Sequence, residues 1–329
     1  MKHLIIDAGT TNARVTLIDE VGKVLGCERR DAGVRNTAID GHNGRLKDAL
    51  RESVGVLLAK NGLSHGDIGV CVAYGMITSN VGLLEIPHCA APADARTLRD
   101  ALVRRVFPEI APFAIDFIPG VRNFSGPVTP ENAAKMDMMR GEETEAMGLF
   151  HLLNPGCRCT LVLPGSHNKF IAMGRSGEIL GCMTAISGEL LDALTHHTIL
   201  ADAVDRRFVS SESYDRELML SGLRAGLECG VGRAAFTGRI LRTLAGWAPP
   251  DAANYLLGVT LSADILALRA FHLRGAEDAL FVAGKPPLQQ ALCDALTECG
   301  FGGIFGVPAA LSSSMGVTGA RIIHGEMGI

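Results

Sequence analysis

The sequence predicts an α/β protein made of two comparable halves, each opening on three short strands. Two observations carry this. The stretch "LIIDAGTTNARVTLIDEVGKVLGCE" at the amino terminus has a weak copy of itself roughly halfway along the chain, "LVLPGSHNKFIAMGRSGEILGCM". Aligning Gly9 with Gly165, with one extra residue at Val21, matches Asn12 with Asn168, Gly22 with Gly177, Leu25 with Leu180, Gly26 with Gly181 and Cys27 with Cys182. In addition, strand and helix patterns alternate through both halves, which packs helices on mixed sheets. The cleft between two such halves is the expected ligand site.

Both copies read as strand, tight turn, strand, Gly turn, strand, beginning at Leu4 to Ile6 and at Leu161 to Leu163. Leu46, Ala49, Leu50, Ser53, Val54, Leu57 and Leu58 then recur at helical spacing, and Asn61-Gly62 gives the stop expected past a helix end. A buried strand follows in "DIGVCVAYG", then a Pro- and Ala-rich loop and a helix across Ala95 to Val106. The Pro-punctuated stretch from Pro108 to Pro130 is the expected crossover between domains, because such loops are uncommon inside a compact unit. The expected domains are 1–120, completed by a C-terminal helix over 308–329, and 121–307. Thr129-Pro130-Glu131 reads as a helix start, interrupted at Gly141. A second helical pattern begins at Glu142. Ser187-Gly188-Glu189 opens a helix, with helical segments to about Arg274. "ALFVAG" is a buried strand, a helix spans Leu288 to Cys299, and "SSSMGVTGARIIHG" suits a tightly packed helix returning to the first domain.

Composition bounds the function. The chain has 329 residues, 47% hydrophobic and 20% charged, enough for a large core and two domains. A net charge of −4 without Lys/Arg runs argues against nucleic acid or an anionic membrane as partner and favours a small polar ligand. Nine Cys without a Cys-x-x-Cys read as reduced thiols, with Cys157 and Cys159 at a strand start. No apolar run approaches the ~20 residues that cross a bilayer, and "MKHLIID" enters a strand directly, so the expected compartment is the cytoplasm. Homo-oligomerisation is left open.

No Walker loop or dinucleotide fingerprint is present, so nucleotide binding must come from the paired hairpins. Gly9 and Gly165 let backbone amides approach an anion, while Thr10, Thr11 and Ser166 add hydroxyl donors. Two such clamps suit a triphosphate. His167 and Lys169 in the second clamp are turn residues or phosphate partners. Asp7, at the end of an apolar strand, is a turn-initiating Asp or a Mg²⁺ ligand; a bare carboxylate there is costly unless exposed or paired. Arg14 shares a strand face with Thr16, opposite Ala13 and Val15, and on strand alternation alone reads as a solvent-facing residue. Glu142 and Glu143, in a first helical turn, are where the helix dipole favours acidic residues. His196 and His197 read as structural.

The hairpin "IIDAGTTNARV" resembles the first phosphate motif of the actin/hexokinase/Hsp70 superfamily. "LPGSHNKF" lies where the second phosphate motif falls, and "ALFVAGKPPL", with Gly284, where the adenosine motif falls. More narrowly, "DAGTTNAR", "YGMITS", "MRGEET", "LPGSHNKF" and "SGEL", in family order, resemble the 2-dehydro-3-deoxygalactonokinases of bacterial galactonate catabolism. Ala8 stands where that family commonly has Trp, and Thr78 where Gly is usual. The resemblance implies two ribonuclease H-like domains, a duplicated βββαβα, with the active site in the cleft. It also implies ATP and Mg²⁺ as cofactors, with Asp7 serving the metal and Gly9, Thr10, Thr11, Asn12, Gly165, Ser166, His167, Lys169 and Gly284 serving the nucleotide. Glu142 is the implied base, with Glu143 and Asp137 as substitutes. Gly75, Met76, Ser79, Asn80 and Arg14 are implied at the sugar acid, with Arg122 next in line for its carboxylate.

The expected activity is ATP-dependent phosphorylation of the terminal hydroxyl of 2-dehydro-3-deoxy-D-galactonate. The alternatives are a kinase for another small sugar or sugar acid, a nucleotide-switched assembly protein, and a phosphohydrolase transferring phosphate to water.

Overall fold

The computed structural model describes residues 1–271 and 278–327. They divide into two units, Met1–Pro155 with Ser176–Gly181 and Ser313–Ile329, and Gly156–Arg175 with Cys182–Ser312. The first unit thus continues through the Pro-punctuated stretch to Pro155, where the sequence suggested a boundary at 120.

The first unit begins with the antiparallel strands β1 (Lys2–Ala8), β2 (Ala13–Ile18) and β3 (Val24–Arg30), followed by α1 (Val34–Asp40) and α2 (Gly44–Lys60). β4 (Ile68–Gly75) lies parallel to β1. After β5 (Cys89–Ala90) and α3 (Ala95–Asp100) come β6 (Val103–Val106), β7 (Ala114–Phe117), β8 (Val121–Arg122), β9 (Met138–Met139) and α4 (Glu142–Leu153). The main sheet runs β3-β2-β1-β4-β7-β6, and β5-β8-β9 form a small second one. The residues α2 buries are the seven whose periodicity predicted it. Leu46, Leu50 and Leu57 join Leu4, Ile6, Val15 and Leu17 of the strands in one core, each worth about 1.5–3 kcal/mol.

Two expected helices are shorter than their sequence signals. Asp94 caps α3 by accepting from Thr97 N (2.7 Å), but the helix stops at Asp100. Val103 to Val106 instead pair antiparallel with β7, and Arg104 forks onto Asp116 at 2.7 Å through both Nε and Nη2. The signal at Thr129-Pro130 yields only a 3₁₀ turn over Ala133–Lys135. Its residues are exposed and give no apolar stripe to dock, so the chain enters β9 before α4 starts beyond Gly141.

The second unit repeats the opening with β10 (Cys159–Leu163), β11 (Asn168–Met173) and β12 (Ile179–Ala185). Helices α5 (Ser187–His196), α6 (Arg216–Cys229), α7 (Val231–Leu244) and α8 (Pro249–Phe271) precede β13 (Ala279–Val282), α9 (Leu288–Glu298) and β14 (Ile304–Gly306). Arg274, the expected helical limit, lies outside the described residues. The sheet order is β12-β11-β10-β13-β14, the order of β3-β2-β1-β4-β7 element for element. The central pairs also match in direction: β2 and β11 run antiparallel to β1 and β10, while β4 and β13 run parallel to them. Val162, Phe170, Leu280 and Val282 pack with Leu261 and Ile265 of α8 and Leu292 and Leu296 of α9.

The last helix, α10 (Ala309–His324), belongs from Ser313 onward to the first unit. The final two positions of the expected 308–329 helix lie outside the described residues. It crosses α4 with backbones nearly touching: a Cβ on Gly148 would strike Met315 O, and one on Gly319 would strike Thr144 O. Beyond the crossing, Arg99 donates to the carbonyls of Ile322 and Ile323 (both 2.8 Å), and Arg321 to those of Glu20 and Val21 (3.2 and 3.1 Å). His324 Nε2 lies 3.1 Å from Asp116 Oδ2. Among the described residues, no helix is long and apolar enough to cross a membrane.

Candidate active site

In the first unit, β1, an interior strand, carries Asp7 near its C-terminal end, and Gly9 to Asn12 turn the chain back, closed by Gly9 N–H donating to Asn12 O (2.9 Å). Asp7, Gly9, Thr11, Asn12 and Arg14 line a pocket of about 190 Å³ together with Arg29, which the sequence reading did not single out. Thr10 is exposed beside them. Arg14 Nη2 lies 3.8 Å from Asp7 Oδ2. Burial raises Asp7's pKa above the usual carboxylate range; Arg14 works against that and Glu142 with it.

Glycine contacts bring Glu142 near. Gly75 ends β4 with φ +94°, where a Cβ would lie 2.8 Å from Ala8 O, and Gly141 has φ +113° with Gly75 Cα 3.1 Å from its own missing Cβ. β1, the Gly75-Met76 turn and the start of α4 are thus stacked backbone on backbone. Gly141 precedes three glutamates with different surroundings. Glu143 is fully buried, both its oxygens accept from Gly141 N–H (3.0 and 2.8 Å) and Oε1 also from Thr144 Oγ1 (3.1 Å). Burial, with Glu142 next, pushes its pKa up to about 8. Glu145, which the sequence reading passed over, is likewise raised to about 8 by burial, then by Asp7. Glu142 is half-buried, and its Oε2 accepts from Arg140 N–H (3.2 Å). Asp137 has its Oδ1 on Met138 N–H (2.6 Å); the charges acting on Asp7 come from Arg14 and Glu142.

Arg140 holds the expected substrate loop. Its Nη1 donates to Thr78 Oγ1 (2.9 Å) and its Nη2 to Ile86 O (2.6 Å), while Thr78 Oγ1 donates to Gly75 O (3.0 Å). The hydroxyl that distinguishes Thr78 from glycine therefore ties the arginine to the turn. Ser79 donates to Met76 O (2.7 Å), and Asn80 is exposed. Arg122, in β8, has a buried Nε without a hydrogen-bond partner.

The second unit braces its hairpin from the core. Gly165 N–H donates to Asn168 Oδ1 (3.0 Å), Asn168 Nδ2 donates to Asp264 Oδ2 (2.8 Å), and Ser187 Oγ donates to Asp264 Oδ1. Asp264, on α8, is buried and its pKa is raised to about 6, against the pull of those two donors. His167 Nε2 lies 3.3 Å from Glu189 Oε1, and the buried Lys169 donates to Thr184 Oγ1 (2.6 Å). Gly165 and Ser166 open onto a pocket of about 270 Å³, walled by Leu191 and Thr195 of α5, Arg207, Phe208 and Val209, Ala253 and Leu257 of α8, and Pro287 and Leu288. Gly284, outside that lining, has φ +105° and a missing Cβ that would lie 2.7 Å from Pro164 Cγ. An apolar slot beside a Gly/Ser hairpin suits a nucleoside followed by phosphates. His196 and His197 lie outside that lining; His196 pairs with Asp192, one helical turn back (3.0 Å), a partner the sequence reading did not see.

The duplication reaches further than the aligned segments. A Cβ on Gly33 would collide with Gly9 O and Thr10 O, and one on Gly188 with Gly165 O and Ser166; continuing the alignment places Gly33 on Gly188. The helix after each third strand presses its start onto the hairpin, with Val34 and Arg35 donating to Gly9 O and Thr10 O, and Glu189 to Ser166 O. Gly75 against Ala8 and Gly284 against Pro164 repeat in the same way. Gly9 and Gly165 themselves differ from these. A Cβ there would meet nothing closer than 3.8 and 3.7 Å, so the packing of the chain does not demand glycine at either position, whereas a close-lying ligand would.

A family model of 2-keto-3-deoxy-galactonokinases matches residues 7–311. A Rhizobium meliloti (strain 1021) protein named "probable 2-dehydro-3-deoxygalactonokinase" is 27% identical over 291 residues, 86% of this chain and 81% of its own. The crystal structure of a Sinorhizobium meliloti protein assigned to the same activity shares the fold with TM-score 0.76 and 24% identity, over 97% of this chain and 98% of that one. The activator of 2-hydroxyisocaproyl-CoA dehydratase from Clostridium difficile, solved with bound ADPNP, is similar with TM-score 0.50 and 14% identity, over 98% and 93%. The duplicated sheets, the two Gly hairpins and the match along nearly the whole chain lead to one conclusion: this protein belongs to the 2-keto-3-deoxy-galactonokinase family, ATP-using sugar-acid kinases, on an actin-like ATPase fold.

Proposed function

We propose that the protein transfers the terminal phosphoryl group of ATP to the terminal hydroxyl of 2-dehydro-3-deoxy-D-galactonate, giving the 6-phosphate, in the cytoplasm. The observation that carries this reading is geometric: Asp7, Gly9, Thr11, Asn12 and Arg14 line one pocket at the first hairpin, with Arg14 Nη2 3.8 Å from Asp7 Oδ2. Each hairpin, Gly9 to Asn12 in the first unit and Gly165 to Lys169 in the second, binds phosphate, and the apolar pocket that Gly165 and Ser166 open onto binds the nucleoside. The sugar acid lies along the Gly75-Met76 turn with Ser79 and Asn80, its carboxylate on Arg14 or Arg122.

In phosphoryl transfer the protein mainly aligns groups and stabilises charge. Glu142 orients the acceptor hydroxyl and takes its proton as oxygen attacks the terminal phosphorus, while the bond to the bridging oxygen breaks and ADP leaves. Glu143 is the weaker candidate, because both its oxygens are engaged within its own helix turn. Mg²⁺ fits at Asp7: a desolvated carboxylate with one long cation contact favours another cation. No cluster of three or more potential ligands occurs among the described residues, so the ion would rely on phosphate oxygens and water, as Mg²⁺ does, and would neutralise phosphate charge. The test is ATP turnover across a panel of keto-deoxy sugar acids and neutral sugars. Turnover that depends on 2-dehydro-3-deoxy-D-galactonate is expected; equal turnover without any acid would overturn the reading.

A further inference from the structure

Asp7, Arg14 and Arg29 are register partners across three neighbouring strands, Asp7 opposite Arg14 and Arg14 opposite Arg29. They therefore project from one face of the sheet, and all three line the pocket at the first hairpin. Like charges directly opposite on adjacent strands repel. Asp7 answers Arg14 at 3.8 Å. Arg29 forms no ion pair among the described residues; its Nε donates to the neutral Asn12 Oδ1 at 3.3 Å. The row thus holds two guanidinium groups against one carboxylate, around a pocket that also presents the Thr11 hydroxyl.

We propose that Arg29 joins Arg14 in an oxyanion site and contacts bound substrate. This rests on the reading of the first hairpin as the phosphoryl-transfer site. β3 lies two strand spacings from β1, roughly 10 Å. A ligand that reacts beside Asp7 and reaches Arg29 is therefore elongated, as an open-chain six-carbon acid or a triphosphate is. The shared chemistry is an oxyanion held by paired guanidinium forks. Its two sources are the carboxylate of the sugar acid and the terminal phosphate of ATP.

Arg29→Gln and Arg29→Lys, with Arg30→Gln as the control from the opposite face of β3, separate these sources. Steady-state kinetics with 2-dehydro-3-deoxy-D-galactonate, and calorimetry of ATP and of the acid separately, provide the readout. If the carboxylate is the oxyanion, Arg29→Gln weakens the acid by about tenfold or more and leaves ATP binding unchanged. If the phosphate is, ATP weakens by that factor and the acid does not. Lys, a point charge without the fork, restores part of either loss. A folded Arg29→Gln protein that binds both ligands and turns over as wild type does would overturn the proposal. Wild-type protein without acid-dependent turnover would instead sink the kinase reading, while the two calorimetric titrations still decide Arg29.

Discussion

Two neighbouring glutamates within one helical turn have different surroundings: Glu142 is half-buried, whereas Glu143 is fully buried with both oxygens engaged. Glu142→Gln is expected to lower kcat by ~10²–10⁴ with ATP affinity nearly unchanged; near wild-type kcat in this variant would move the base elsewhere. Glu143→Gln belongs to stability instead. Its folded pKa of about 8 stands above the ordinary glutamate value of 4.5, so between those values the folded protein keeps a proton that the unfolded chain releases, and stability falls as pH rises through that window. The ligand-free Gln variant should therefore show a shallower decline in Tm between about pH 5.5 and 8.5. An unchanged slope would assign the decline to other groups, such as Glu145, or to His324, whose pKa its Glu326 and Asp116 partners raise. Sequence pattern singled out Asp7, Gly9, Gly165 and Glu142 because they sit in short motifs, and the structure places Asp7 and Gly9 on one pocket and Gly165 on another. The pattern could not expose Arg29, whose role depends on which residue of β2 it faces, nor the pocket walls Thr195, Phe208 and Leu257, which come together only by folding.

At the scale of elements, periodicity worked where it was long. The seventeen residues of α2 carried enough turns for the buried face to be read directly, whereas the four residues of β6 and the three of β14 gave no period to measure and are strands because a neighbour pairs with them. The duplicated hairpins were legible as a repeat, and the structure adds that each leans on the helix that follows it. Gly188→Ala should therefore destabilise the fold by about 1–3 kcal/mol, since its Cβ meets hairpin backbone. Gly165→Ala should change stability by less than about 0.5 kcal/mol, since a Cβ there has ordinary room, yet weaken ATP binding by about tenfold or more. Calorimetry and thermal melts of the two variants check this pair; normal ATP affinity in a folded Gly165→Ala protein would remove the second hairpin from the site.

For the whole molecule, the fold class was legible because the same strand order was written twice, while the division of the chain was not, because Pro and Gly mark turns inside a unit as readily as links between units. The small-residue run near the end was read as a close-packed helix, and the Gly148–Gly319 crossing of α4 and α10 confirms why those residues are small. That crossing has a consequence for synthesis on the ribosome. α4 is complete by Leu153, but the helix that covers it emerges only after the second unit has been translated, which at typical rates of 5–20 residues per second takes about 8–30 s. Through that interval Gly148 on α4 lacks the backbone it packs against. Chains arrested on ribosomes with only residues 1–312 outside the tunnel should show a protease-sensitive first unit and a resistant second one, whereas chains extruded through residue 327 should protect both; equal resistance at both lengths would show that α4 does not wait for its partner.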